Sequence, residues 1–177
     1  MENDEKIEKQ VIKKHNGEIK IDNSEILKHT LFSLVHVASL KTSDDYAWAS
    51  VKKLIRELKV NYAFLNYIQI GNISYLNYTI DDIKISPEIN DVDPKELGKA
   101  IQDIVDLVRK YLGEKAGYFF IQEFREILGD TYHSIIKKMG VDLRLVELQD
   151  QYSYFEHGKY KIKDDKNSNI AFVEKAE

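Results

Sequence analysis

The segment Asp93-Pro94-Lys95-Glu96 reads as the first turn of a helix, and it sets the pattern for the residues that follow. The Asp93 carboxylate is placed to accept from backbone N–H groups that have no partner inside the helix, and Pro94 takes the first helical position, where its missing donor costs nothing. Glu96, three residues past the cap, adds negative charge at the positive helix end. Leu97, Ile101, Ile104, Val108 and Tyr111 then recur at helical spacing until Gly113 offers a left-handed stop. A second stripe follows at once in Tyr118, Ile121, Phe124 and Ile127; Gly129 interrupts it before Tyr132, Ile135, Ile136 and Met139 resume up to Gly140. Two or three central helices packed as hairpins are the expected outcome.

Two more helices are expected upstream. Ser24 reads as the cap of a segment whose Ile26, Leu27, Leu31, Leu34, Val35, Ala38 and Leu40 form a wide apolar face, which implies near-complete burial. Thr42-Ser43-Asp44-Asp45 punctuates the chain and starts a second helix, with Trp48, Val51, Ile55 and Leu58 on one stripe and Lys52, Lys53, Arg56 and Glu57 largely opposite. The short connection predicts a helical hairpin.

Other stretches carry strand signals. Asn16-Gly17 between Val11, Ile12 and Ile19, Ile21 predicts a β-hairpin, because a tight two-residue turn needs residues that tolerate positive φ; a helical arm leading into one strand is the alternative. Residues 61–85 are rich in Tyr, Phe, Ile and Asn around a Gly71-Asn72 break and predict a small antiparallel meander. Its strands are Tyr62 to Ile70, Ile73 to Ile80, and Ile83-Lys84-Ile85 ended by Pro87, with extension of the preceding helix through Phe64-Leu65-Asn66-Tyr67 as the alternative. Val141, Leu143 and Leu145 alternate with Asp142, Arg144 and Val146 and favour a strand over a short helix capped by Asp142. Tyr152-Ser153-Tyr154-Phe155 and Tyr160-Lys161-Ile162 flank Gly158 as a second hairpin, and the polar tail containing Ile170, Phe172 and Val173 is either a docked strand or a free end. The expected architecture is α+β, with amphipathic helices packed on a small antiparallel sheet of hairpins. Residues 1–22 form a charge-rich arm or hairpin, 23–163 a single domain and 164–177 a polar C-terminal tail.

Composition narrows the function classes. With 177 residues, 43% of them hydrophobic and 32% charged, the chain can bury a sizeable core without staples. Cysteine is absent, which removes disulfides, thiolate nucleophiles and cysteine-based metal sites and fits a reducing, cytoplasmic setting. The acidic opening Met1-Glu2-Asn3-Asp4-Glu5 is unlike a secretory signal, and no apolar run approaches the length of a membrane span. A net charge of −4 and a pI near 5.8 supply no overall attraction to phosphate backbones, so nucleic acid is not an expected partner. The basic clusters at Lys9 to Lys14, at Lys52-Lys53 with Arg56 and Lys59, and at Lys137-Lys138 read as solvated faces. Richness in Ile, Lys, Glu and Tyr resembles thermophile composition, and an AT-rich genome produces the same bias.

Three groups of residues are candidates for chemistry or contact. Glu123, Glu126, Asp130 and His133 would line one face of an unbroken helix, and Asp130 with His133 has the spacing used in carboxylate-bridged di-iron bundles. No second acid–histidine pair accompanies it, and an ordinary polar face accounts for the same residues. His29 and His36, seven residues apart, are too far apart to chelate one metal; His36 is a candidate ligand or proton switch set in an apolar helix. The eleven tyrosines stand out most. Tyr62, Tyr67, Tyr75 and Tyr78 cluster before the Asp93 helix, and Tyr152, Tyr154 and Tyr160 near the C-terminus; Tyr joins a large apolar body to a polar tip and suits contact surfaces as well as half-buried strands.

No glycine loop is followed by Lys-Ser or Lys-Thr, no serine has the flanking glycines of a nucleophile elbow, and nothing calls for a cofactor. The expected role is that of a non-enzymatic, intracellular protein-interaction or regulatory module, which uses a Tyr-rich sheet face or an exposed helix stripe to bind a protein partner or a second copy of itself. Two alternatives are a sensor holding a small apolar or aromatic molecule between helices and sheet, and a metal-dependent enzyme using His133 and its neighbouring acids.

Overall fold

The computed structural model describes residues 13–15, 18–71, 79–117, 119–156, 160–163 and 172–175. The helix α1 (Asn23–Lys41) occupies the middle of the core, with Leu27, Leu31, Leu34, Val35, Val37 and Ala38 fully buried. It is apolar on nearly every side, so it needs neighbours on several sides. These are α2 (Asp44–Leu58), α3 (Pro94–Leu112) and α4 (Phe120–Lys138), all of which contact it. Trp48, Val51 and Ile55 from α2, Ile101, Ile104 and Val108 from α3, and Phe120, Ile121 and Phe124 from α4 belong to the same buried cluster. Leu40, expected on the apolar face of α1, is instead 64% exposed in its last turn.

The expected start of α3 is present in detail. Asp93 Oδ1 accepts from the N–H groups of Lys95 at 2.9 Å and Glu96 at 3.2 Å, Pro94 opens the helix, and Gly113 ends it at φ 54°. Ser43 caps α2 by accepting from Tyr46 N–H at 3.4 Å. The start of α1 differs from expectation. Ser24 lies inside the helix, and its N–H donates to the side chain of Asn90 at 2.9 Å, while Asn23 Nδ2 donates to Val92 O at 2.8 Å. A loop some seventy residues downstream thus supplies the cap, so a local motif gives no sign of it.

Gly129 (φ 77°, ψ 158°) breaks α4 into two helical halves, as its position in the stripe predicts. The second half closes in a Schellman motif: Val141 N–H donates to Ile136 O, Gly140 N–H to Lys137 O, and Gly140 adopts φ 97°. The chain then enters α5 (Leu143–Glu156), which corrects two expectations. Residues 141–146 are not a strand; Asp142 Oδ1 accepts from Leu145 N–H at 3.1 Å and caps a helix. Tyr152 and Tyr154 belong to that helix rather than to a hairpin.

The fold is α+β, mostly helical, and the strands pair in twos rather than as one sheet among the described residues. β1 (Lys13–His15) pairs with β2 (Glu18–Lys20), the expected N-terminal hairpin. β3 (Ile68–Ile70) pairs with β4 (Ile83–Ile85), with Ile68 opposite Ile85 and Ile70 opposite Ile83. Gly71 N–H extends that ladder by donating to Asp82 O at 2.9 Å, so Ile68 to Ile70 do not turn back at once onto the next residues. The expected strand Ile73 to Ile80 lies outside the described residues up to Tyr78; Thr79 and Ile80 form a tight turn in which the Asp82 carboxylate accepts from Thr79 N–H at 2.7 Å. Ala63–Tyr67 is a 3-10 turn, neither strand nor continued α-helix, and it buries Phe64 and Leu65. β5 (Tyr160–Lys163) pairs with β6 (Phe172–Lys175), so the tail contains a paired strand. No helix among the described residues is long and apolar enough to cross a membrane.

One close approach locks α4 onto α3. A Cβ added to Gly98 would lie 2.2 Å from Met139 O and 2.9 Å from Met139 C, which are backbone atoms that cannot swing aside. Helix propensity alone favours alanine by about 1 kcal/mol at such a position. The overlap outweighs it: Gly98→Ala is expected to lower stability by about 2 kcal/mol in urea denaturation. Lys99→Ala, exposed on the same helix, is expected to stay within about 0.5 kcal/mol of the parent.

Candidate functional site

The tyrosines expected to form one surface are distributed over separate elements. Tyr62 is half-buried beside α3, and its hydroxyl donates to Asp103 Oδ2 at 2.7 Å. Burial, followed by that bond to a carboxylate, pushes its pKa up to about 12. Its polar tip is therefore committed inside the protein. Tyr67 is exposed at the end of the 3-10 turn, Tyr75 and Tyr78 lie outside the described residues, and Tyr152 is exposed on α5. Tyr154 follows in the same helix. A tyrosine pair not anticipated in sequence joins α2 to α3: the Tyr46 and Tyr111 rings stack at 6.1 Å, with the Lys53 ammonium 5.0 Å from the Tyr111 centroid.

The acid–histidine stripe does not form a continuous face, because Gly129 turns the helix between Glu126 and Asp130. Glu123 is held by the Lys41 ammonium, at 2.7 Å from Oε1 and 2.6 Å from Oε2. Glu126 accepts from Gln122 at 3.0 Å, and Asp130 is exposed. Among the described residues, no three His, Asp or Glu side chains converge to hold a metal ion. His36 is half-buried with its ring 6.3 Å from Phe32 in an edge contact.

His133 has different company. It lines a cavity of about 510 Å³ between the second half of α4 and the start of α5, together with Arg125, Lys137, Gly140, Val141, Asp142, Leu143 and Arg144. Burial lowers the His133 pKa below its ordinary value, and the positive charges of Arg125 and Lys137 lower it further against the opposing pull of Asp130. The floor of the cavity is fixed from α3. Gly98 admits Met139 against the helix, and one turn later Gln102 Oε1 accepts from Asp142 N–H at 2.7 Å. Arg125 Nη1 lies 3.7 Å from Glu147 Oε2, which ties α4 to α5 at the rim. Sequence reading marks Lys137-Lys138 as a basic cluster but leaves Arg125 and Arg144 unremarked, because three segments bring the cationic groups together. A second cavity, about 440 Å³, lies between α1 and β4 and is lined by Ser24, Glu25, Lys28, Asp81, Ile83, Lys84 and Ile85. The Lys28–Asp81 ion pair at 3.1 Å joins two of its lining residues, so it is a polar groove rather than an apolar slot.

α5 shows the other unusual surface. Leu143 and Val146 are buried, whereas Leu145 and Leu148 are 52% exposed and Tyr152 is 68% exposed. The exposed three recur at steps of three and four, so they share one helix face.

His29 is a structural counterpart to His133. Its Nε2 lies 2.9 Å from Glu25 Oε1, and its ring stacks on Tyr132 at 4.2 Å. Burial lowers its pKa more than Glu25 raises it. The same burial, with the Glu25 charge nearby, pushes the Tyr132 hydroxyl up to about 12. Since His29 and His133 both bind protons less readily folded than unfolded, their contribution is full above the ordinary value of 6.5 and is lost as pH falls below it. The urea midpoint is expected to fall between about pH 7.5 and pH 5.5, and to fall less in His29→Gln. A midpoint flat across that window would contradict the assigned environments.

Comparison of the chain with protein-family models, with curated proteins and with solved structures finds no match.

Proposed function

We propose that this chain is a non-enzymatic interaction or regulatory module working in the cytoplasm, and that α5 carries the contact. The observation behind the reading is the solvent-facing stripe of Leu145, Leu148 and Tyr152 on a helix whose opposite side is buried by Leu143 and Val146. Leaving two leucines and a tyrosine in water on one face forgoes the burial that such side chains ordinarily gain, about 1.5–3 kcal/mol each. The spacing is that of a seam onto which another amphipathic helix fits, and Tyr152 adds a ring of the type that anchors contacts. The partner is a second copy of the chain or another protein with a matching helix. This reading keeps the idea of an exposed helix stripe and gives up the Tyr-rich sheet face, since Tyr62 is bonded to Asp103. Absence of cysteine agrees with a reducing compartment.

Light scattering over a micromolar concentration range, with native pull-down from lysate, tests it. Leu148→Glu is expected to weaken association by about 2 kcal/mol while leaving the helical circular dichroism unchanged, since the residue is already half in water. A chain that stays at its monomer mass of 20.7 kDa and captures nothing that Leu148→Glu loses would rule the surface out.

A further inference from the structure

We infer that the cavity between α4 and α5 binds a small phosphate-bearing ligand. This goes beyond the contact proposed for α5 and rests on different residues. Three permanent cations, Arg125, Lys137 and Arg144, line one concave space with His133 on a chain whose net charge is −4. Like charges gathered in a cavity repel one another unless an anion joins them. Burial is the main cause of the lowered proton affinity of His133, and the charges of Arg125 and Lys137 add to it. The acids around the group offset it in part. Asp142 is the one carboxylate in the lining and caps α5 through Leu145 N–H, Glu147 lies 3.7 Å from Arg125 at the rim, and Asp130 acts on His133 against the cations.

The chemistry favours phosphate over carboxylate. Two guanidinium groups and an ammonium offer donors to several oxygens at once, and with Asp142 counted the lining carries two net positive charges, which a dianion matches and a carboxylate only halves. The positive end of α5 adds to the same field, because Leu143 and Arg144 of its first turn line the cavity. The carbonyls of Ile136 and Lys137 at the end of α4 are already bonded to Val141 and Gly140 N–H, which limits the opposing negative pole. A volume of about 510 Å³ exceeds what an inorganic ion fills and lies in the range of small-molecule sites. The net negative charge of the chain works against a long polyanion; a small one feels mainly the local groups, since charges beyond about 8 Å are screened at physiological salt. Gln102 and Gly98 of α3 fix the end of α4 and the start of α5, the segments from which most of the lining comes.

NMR titration of the full chain with glycerol 3-phosphate, inorganic phosphate, glycerol and sodium chloride at matched ionic strength tests the assignment. Saturable shifts are expected at the Gly140 to Arg144 amides and the His133 ring with the two phosphates only. On saturation the His133 titration midpoint should rise, because a dianion beside it offsets Arg125 and Lys137. Arg144→Gln and Lys137→Gln, both exposed, should each weaken binding about tenfold, and Lys95→Gln should not. Tighter binding of glycerol 3-phosphate supports an organic phosphate as the natural ligand, whereas equal affinity of inorganic phosphate supports the free anion. Shifts that follow ionic strength alone, unchanged affinity in Arg144→Gln, or binding only of a phosphoserine peptide would overturn the proposal. The variant Leu148→Glu should retain phosphate binding, which separates this site from the α5 contact.

Discussion

Burial of α1 is the constraint on which the rest of the structure depends. A helix with Leu27, Leu31, Leu34, Val35, Val37 and Ala38 all withdrawn from water has almost no polar face to give to solvent. Each neighbour must therefore bring an apolar stripe of its own, and α2, α3 and α4 do so from one continuous core. Two of the polar side chains inside are satisfied locally: Thr30 donates to Ile26 O at 2.8 Å and Ser50 to Tyr46 O at 2.6 Å, each one turn back. The β3–β4 ladder is held against the same helix, since β4 contacts α1 and Ile83 is fully buried.

Helix ends divide into those set by adjacent residues and those set from a distance, and that division decides what sequence reading can see. Asp93, Ser43, Gly113, Gly129 and Gly140 act on their immediate neighbours, and each is legible from residue type and position. The start of α1 depends on Asn90, and its position beside Ser24 comes from tertiary packing. The misread strand at residues 141–146 has a more specific cause. Leu143 and Val146 form a buried pair three residues apart, while Leu145 and Leu148 form an exposed pair with the same step. Two interleaved helical stripes over so few positions imitate the alternation of a strand.

Legibility of the candidate sites follows the same logic. The spacing of Glu126, Asp130 and His133 is real in sequence, but Gly129 stands between them and divides the face it appears to define. His133 keeps a place of interest for another reason, since it lines one cavity with Arg125 and Lys137 and feels their charge. Arg144 reaches the same cavity only because α4 ends, turns and hands over to α5 there. Tyr152 stays exposed as the notable richness in tyrosine suggests, yet on a helix, where its neighbours are Leu145 and Leu148 rather than other tyrosines.

Gly98 gives this arrangement a distant point of control. It is not among the residues that line the cationic cavity, yet the backbone of Met139 rests where its side chain would be, and the cavity begins one residue later at Gly140. A related chain with alanine or serine in that place would have to carry the end of α4 further from α3. The contact from Gln102 to the start of α5 would stretch with it, and the spacing of the cationic groups would change. Residue 98 should therefore covary with residues 139 to 144 across relatives of this protein, although it lies outside the cavity whose shape it sets.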